Sequence, residues 1–168
     1  DFGPSYSCGR PECAPGCECG RYLEFWNLVF PQFEKQADGQ VVALKRRGVD
    51  TGMGLERVTR IMQGAPSNYE TDLFLPIIRA TEEMSGQSYE RESLRPTFRV
   101  IVDHIRAAVF LLDDNVVPSN EGRGYVLRRI IRRACLSGLR LGVRQPRLYK
   151  LVPAVVAVMK DAYPSLVE

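Results

Sequence analysis

Two glycines, a carboxylate and an arginine fall within the eight residues Asp50-Thr51-Gly52-Met53-Gly54-Leu55-Glu56-Arg57. Such a set suits a nucleotide or an amino acid. Gly52 and Gly54 let a flat or anionic ligand approach backbone that a Cβ would otherwise cover. The planar guanidinium of Arg57 can lie on an aromatic base or fork onto phosphate oxygens. Asp50 offers its carboxylate to an ammonium group. Asp-Thr-Gly ahead of an amphipathic run is also an ordinary helix N-cap, so both readings stand on these residues alone.

Four of the five cysteines crowd into Cys8-x4-Cys13-x3-Cys17-x-Cys19, separated by Gly9, Pro11, Pro15 and Gly16 and followed by Gly20. Turn formers between thiols favour a knuckle that wraps one metal, and four thiolates make a closed tetrahedral zinc site with no open position for catalysis. Disulfides are the rival reading; a cytosolic chain would keep such thiols reduced, which favours zinc. Cys135 stands apart among apolar neighbours and reads as a small core residue.

Charge is unevenly spread. From Glu121 to Lys150 the chain carries eight arginines and one lysine against Glu121 alone, a local charge of +8. With +3 overall, the remainder carries −5. Concentration in one element suggests a polyanionic partner, with a solvated helix face as the plain alternative. At 100° per residue, Leu127, Ile130, Ile131, Ala134 and Cys135 fall on one arc and Arg128, Arg129, Arg132 and Arg133 on the other. An arginine face of that length spans several phosphates. Ser119 or Asn120, just before it, has the side chain of a helix N-cap.

The elements that would position these residues follow from pattern and punctuation. Residues 1–21 read as a loop-rich insert around the cysteines. Arg21 to Phe33 reads as a strand, Asp38-Gly39 as a hairpin turn, Val41 to Leu44 as a second strand and Arg47 to Thr51 as a third. That strand feeds the glycine motif and a helix through Gln63, so the class is α+β, an antiparallel sheet backed by a helix. Beyond the Gly64–Asn68 closure the spacing turns helical: Thr71 to Ser85 on Leu73, Phe74, Ile77, Ile78 and Thr81; Phe98 to Asp113 on Val102, Ile105, Val109 and Leu112; Glu121 to Gly138; and Arg147 to Tyr163, bent or interrupted at Pro153. His104, beside Asp103 on a helix with an apolar face, reads as a structural hydrogen-bonding residue.

With 168 residues the chain suits one domain or two small ones. It has no apolar run of membrane-spanning length, so no membrane partner is expected. Asp1-Phe2-Gly3-Pro4 lacks a targeting pattern and reads like the middle of a longer chain.

Three stretches carry a resemblance to a known family. Val49 to Arg57 is similar to motif 3 of the class II aminoacyl-tRNA synthetases, and its wording resembles the alanyl-tRNA synthetases. So do Leu23-Glu24-Phe25-Trp26-Asn27-Leu28-Val29-Phe30 upstream and Pro118-Ser119-Asn120-Glu121-Gly122-Arg123-Gly124-Tyr125-Val126-Leu127-Arg128-Arg129 downstream. They lie in the family's order, and the likeness runs from about Gly3 to about Tyr149.

The resemblance implies a cytoplasmic enzyme that activates alanine with ATP and magnesium and transfers it to the terminal ribose of a tRNA. It implies a Cys-rich zinc knuckle at 1–21, the C-terminal part of a class II catalytic domain at 22–68, and a helical tRNA-recognition domain at 69–168. Asn27, Val29, Asp50 and Gly52 would surround alanine, with Asp50 on its ammonium group and Val29 limiting the pocket to a methyl. Gly54 and Arg57 would meet ATP, with Glu56 capping the helix or orienting Arg57. Asn120 would read a G·U wobble pair in the wide minor groove of the acceptor stem. Arg128, Arg129, Arg132 and Arg133 would hold the stem's phosphates. The resemblance puts motifs 1 and 2 before Asp1 and the editing domain and a second base-reading aspartate elsewhere, so this chain alone should not catalyse. A non-catalytic RNA-binding module of the same descent is the alternative, and a protein-interaction scaffold with no RNA affinity a third.

Overall fold

Prolines and glycines decide where most elements of this chain begin and end. The computed structural model describes residues 1–167, and the chain divides into two units, Asp1–Asn68 and Tyr69–Glu168.

In the first unit, two separate antiparallel pairs replace the one antiparallel sheet expected from the sequence. β1 (Trp26–Val29) pairs with β4 (Asp50–Met53), while β2 (Phe33–Lys35) pairs with β3 (Val41–Ala43). The run from Arg21 to Phe33 is therefore not one strand. It breaks around Pro31, which lacks the N–H that a continuous ladder needs. The Asp38-Gly39 turn forms as expected: Gly39 has φ +88° and Gln36 N–H donates to Gln40 O at 2.8 Å. The third strand starts later than its composition suggested, at Asp50 rather than Arg47, because pairing with Trp26–Val29 sets its position. Gly52 consequently lies inside a strand, not at a strand-to-helix junction, and Asp50 lies at the strand's start, not its end.

α1 (Leu55–Gln63) follows, with Gly54 as N-cap, so the Asp-Thr-Gly stretch does not supply a capping side chain. Gly64 ends it at φ +59°. Arg60 then fastens the helix to the chain around it. Its guanidinium donates to the carbonyls of Ala65 (3.2 Å) and Pro66 (2.7 Å) and lies 4.4 Å over the Phe2 ring. Arg21 forks onto Asp1 at 3.0 and 3.1 Å, closing the cysteine-bearing segment on itself. Among the described residues of this unit no side chain is fully buried.

The second unit holds the core. α2 (Leu75–Ser85), α3 (Arg95–Asp113) and α5 (Val152–Met159) enclose Phe74, Ile77, Ile78, Phe98, Ile101, Val102 and Val155. Each large apolar side chain buried this way contributes roughly 1.5–3 kcal/mol. α2 begins at Leu75, not Thr71, because Pro76 can only sit in a helix's first turn. By the same rule Pro96 starts α3 three residues earlier than expected, and Pro153 starts α5 instead of interrupting a longer helix. A short tight turn over Leu148–Leu151 precedes α5. Leu112, expected in the core, is half exposed in the last turn of α3. His104 has the expected structural bond, with Nδ1 3.0 Å from Asp103 Oδ2.

A smaller cluster joins α3 to α4 (Gly122–Arg140): Ala108 and Leu111 meet Leu127, Ile130 and Ile131, with Val116 beneath. Cys135 is exposed rather than core. At 80° from Leu127 it sits on the rim of the apolar arc, next to Arg128. The class is α+β, with small antiparallel sheets and helices. No helix among the described residues is long and apolar enough to cross a membrane.

Candidate functional site

Register places the first set of candidate residues. Asn27 stands directly opposite Gly52, and Val29 directly opposite Asp50. Directly opposed residues of an antiparallel pair share a face, and residues two apart on a strand do too. All four therefore line one face of the β1–β4 ribbon, and all are exposed. A Cβ added to Gly52 would meet nothing within 4 Å, and its φ is not in the left-handed region. Neither packing nor backbone conformation within the chain demands glycine there, and its bareness leaves that face open. Asp50 has no hydrogen-bonding or ionic partner among the described residues and presents a free carboxylate beside it.

Glu24, to which the sequence reading assigned no role, connects this face to Arg57. Its carboxylate accepts from Asn27 Nδ2 at 3.2 Å, and its backbone carbonyl accepts from the Arg57 guanidinium at 2.6 Å. Its place in the Leu23–Phe30 stretch, three residues before Asn27, was the available signal. Gly54 has a different role from Gly52. A Cβ there would come within 3.2–3.4 Å of the Arg57 stem, so its bareness lets Arg57 fold back across the helix start. The Gly54 N–H donates to Phe25 O at 2.9 Å and ties that corner to β1.

The cysteines converge. Sγ of Cys8 lies 3.7 Å from Sγ of Cys17, and Sγ of Cys13 lies 3.7 Å from Sγ of Cys19. All four sulfurs lie within 4.8 Å of one another, and none is in a disulfide. Sulfurs placed tetrahedrally about 2.3 Å from a zinc ion would be spaced by about 3.8 Å, so the donor set fits. Two tight turns deliver the middle pair: Cys13 N–H donates to Arg10 O at 3.1 Å, and Cys17 N–H to Ala14 O at 3.0 Å. Their shared hydrogen bonds split the thiols. The Ser7 hydroxyl, helped by Cys19 and Cys8, lowers Cys13 to about 6. A Cys19 backbone contact pulls Cys17 down, but the side chains of Cys19 and Cys8 and burial outweigh it and raise Cys17 to about 11.

In the second unit, the chain leaves α3 through Asn115, whose φ of +58° an asparagine tolerates, and buries Val116 under Leu127. That anchors Pro118-Ser119-Asn120 against the head of α4. Gly124 is indispensable to the contact: a Cβ there would lie 2.3 Å from both Ser119 Oγ and Val117 O. The N-cap is Glu121 and makes no side-chain cap bond; Ser119 Oγ donates instead to Glu121 O at 2.8 Å. Asn120 is therefore not a cap. Its Oδ1 accepts from the Arg128 guanidinium.

A cleft of about 600 Å³ brings together Asn120, Arg128, Arg129, Arg132 and Arg133, and adds Tyr125 and Leu136. None of the four arginines has a carboxylate partner among the described residues; Arg129 lies 5.9 Å over the Tyr125 ring. Tyr125 and Leu136 are absent from the sequence-derived set, which followed the helical angles of the arginines alone. At their positions along the helix they fall on the same exposed arc. Such a cleft can neutralise several phosphates and also offers one aromatic face.

Known proteins resemble this chain along its whole length. The family model for tRNA synthetases class II (A) matches residues 1–168. The alanine–tRNA ligase of Desulfosudis oleivorans is 51% identical over 169 residues, covering 100% of this chain and 19% of that protein. That of Desulforamulus reducens is 49% identical over 167 residues, 99% of this chain and 19% of its own length. The alanine–tRNA ligase of Geobacillus thermodenitrificans is 52% identical over 159 residues, 94% and 18% respectively. This chain thus spans about a fifth of the length of the curated relatives it matches.

Proposed function

Because the chain belongs to the class II (A) tRNA synthetases, we propose that it works as part of an alanine–tRNA ligase. Such an enzyme joins the alanine carboxylate to the α-phosphate of ATP with release of pyrophosphate, using magnesium. It then passes the alanyl group to a ribose hydroxyl of tRNA with release of AMP. The observation that carries this reading is the register that sets Asn27, Val29, Asp50 and Gly52 on one face. There the Asp50 carboxylate takes the α-ammonium group, Val29 limits the side chain to a methyl, and Gly52 lets the backbone close in. Rejecting one extra methylene this way is worth about 1–3 kcal/mol. Arg57 spends one N–H on Glu24 O and keeps the others for ATP, where positioned cations stabilise developing phosphate charge.

The reading assigns residues 1–21 to a zinc knuckle held by Cys8, Cys13, Cys17 and Cys19, where the metal is structural. Residues 22–68 belong to the catalytic domain. Residues 69–168 form the tRNA-recognition domain, with Asn120 on the acceptor stem and Arg129, Arg132 and Arg133 of α4 on phosphates. The compartment is the cytoplasm. A purely RNA-binding module would leave the face shared by Asp50 and Gly52 without a purpose. Alanine-dependent pyrophosphate exchange tests the proposal. The full-length protein should catalyse it, Arg57→Ala should weaken ATP use by a few kcal/mol, and the 168-residue chain alone should be silent. Exchange that depends on a different amino acid would overturn it.

A further inference from the structure

Arg128 stands apart from the other cleft arginines because its guanidinium is already engaged with the Asn120 side chain. Guanidinium groups only donate, so the atom it meets is the amide oxygen whatever the assigned orientation of the amide. That contact orients the amide, and Nδ2, which has no partner among the described residues, is the half left to face a ligand. The backbone beneath is fixed twice over. Gly124 admits Val117 and Ser119 at distances no Cβ would allow, and Ser119 Oγ closes on Glu121 O. Asn120 makes no cap bond that would compete for the same oxygen.

We propose that Arg128 is a positioning residue that turns Asn120 into a hydrogen-bond donor, so that the pair selects stems by a base-edge acceptor. It is not one more phosphate clamp. The inference rests on the reading of Asn120 as a contact to the acceptor stem. It separates Arg128 from Arg129, Arg132 and Arg133, whose guanidinium groups share the cleft without touching Asn120. An RNA minor groove exposes acceptors at purine N3 and pyrimidine O2, where such a donor would be satisfied; a G·U wobble displaces both from their places in a G·C pair, so a donor held in one position tells the pairs apart. Removing Arg128 frees the amide to rotate, and the preference among stems should then relax although the fold is intact.

The experiment measures dissociation constants of the full-length protein for two acceptor-stem duplexes that differ only by G·U or G·C at one position. Arg128→Ala should shrink the ratio between the stems by about tenfold, within the range of one base-edge contact. Asn120→Ala should shrink it equally, and the double variant no further. Arg128→Lys, which keeps a cation able to donate to the same oxygen, should restore part of the ratio. Arg129→Ala should weaken both stems alike and leave the ratio unchanged. Thermal melts of all variants should coincide, so that a folding defect cannot imitate the result. Equal losses on both stems in Arg128→Ala, from a wild type that does discriminate, would overturn this proposal alone. A wild type that binds both stems equally would overturn the reading of Asn120, and this proposal with it.

Discussion

Among the described residues, no side chain of Asp1–Asn68 is fully buried, whereas the second unit closes around Phe98, Ile101 and Val102, all fully buried. The first unit arranges its candidate residues by backbone register, by Glu24 and by four converging thiols. The second arranges them by packing: a buried Val116, a bare Gly124 and the apolar face of α4 hold Asn120 and the arginines in place. Candidate site groups can thus be positioned without a core, provided that strand register and hydrogen bonds take over its task. Perturbations should then segregate, with metal loss damaging one half and cavity creation the other.

The largest effect is expected at the cysteines. Structural zinc in small domains has an apparent binding energy of about 10–16 kcal/mol at neutral pH. Metal analysis should find about one zinc per chain, and a strong chelator should leave the amides of residues 1–21 exchanging freely. Protection along α3 should not change. If α3 loses protection together with the knuckle, the two halves are not independent. Next comes the converse test. Phe98→Ala should cost the helical unit about 3–5 kcal/mol in denaturant unfolding, whereas Leu28→Ala on the exposed ribbon should change stability by less than about 0.5 kcal/mol.

Much of this contrast was legible in the sequence, and what was hidden has physical causes. Asp38-Gly39 announced its hairpin because turn chemistry is local. Pro76, Pro96 and Pro153 were visible too, yet they mark helix starts and not interruptions once their missing N–H is placed in the first turn. The pairing of Asn27 with Gly52 was not readable, since register is set between segments more than twenty residues apart. The Arg57 bond to Glu24 spans 33 positions and is hidden for the same reason. Cys135 was misjudged because an apolar neighbourhood in sequence says little about a residue on the rim of a helix face. The arginine arc and the cysteine convergence were readable because each depends on one element or one short loop.

Smaller effects sharpen the second half of the comparison. Gly124→Ala forces a Cβ against the Val117 carbonyl and should cost about 1–3 kcal/mol, seen as an earlier melt. A normal melt would mean that the turn before α4 shifts freely. Asn120→Ala should shift stability by no more than about 0.5 kcal/mol, since Asn120 caps nothing.

The claim that α4 is a phosphate-binding face is tested most directly by the salt dependence of its affinity for an acceptor-stem RNA duplex. Titrations of this chain between about 50 and 200 mM salt, the range over which phosphate neutralisation dominates affinity, give the slope of log affinity against log salt. With Arg129, Arg132 and Arg133 replaced in turn by glutamine, that slope should flatten by roughly 0.9 for each phosphate no longer neutralised. A slope that stays the same when all three are gone would contradict the account.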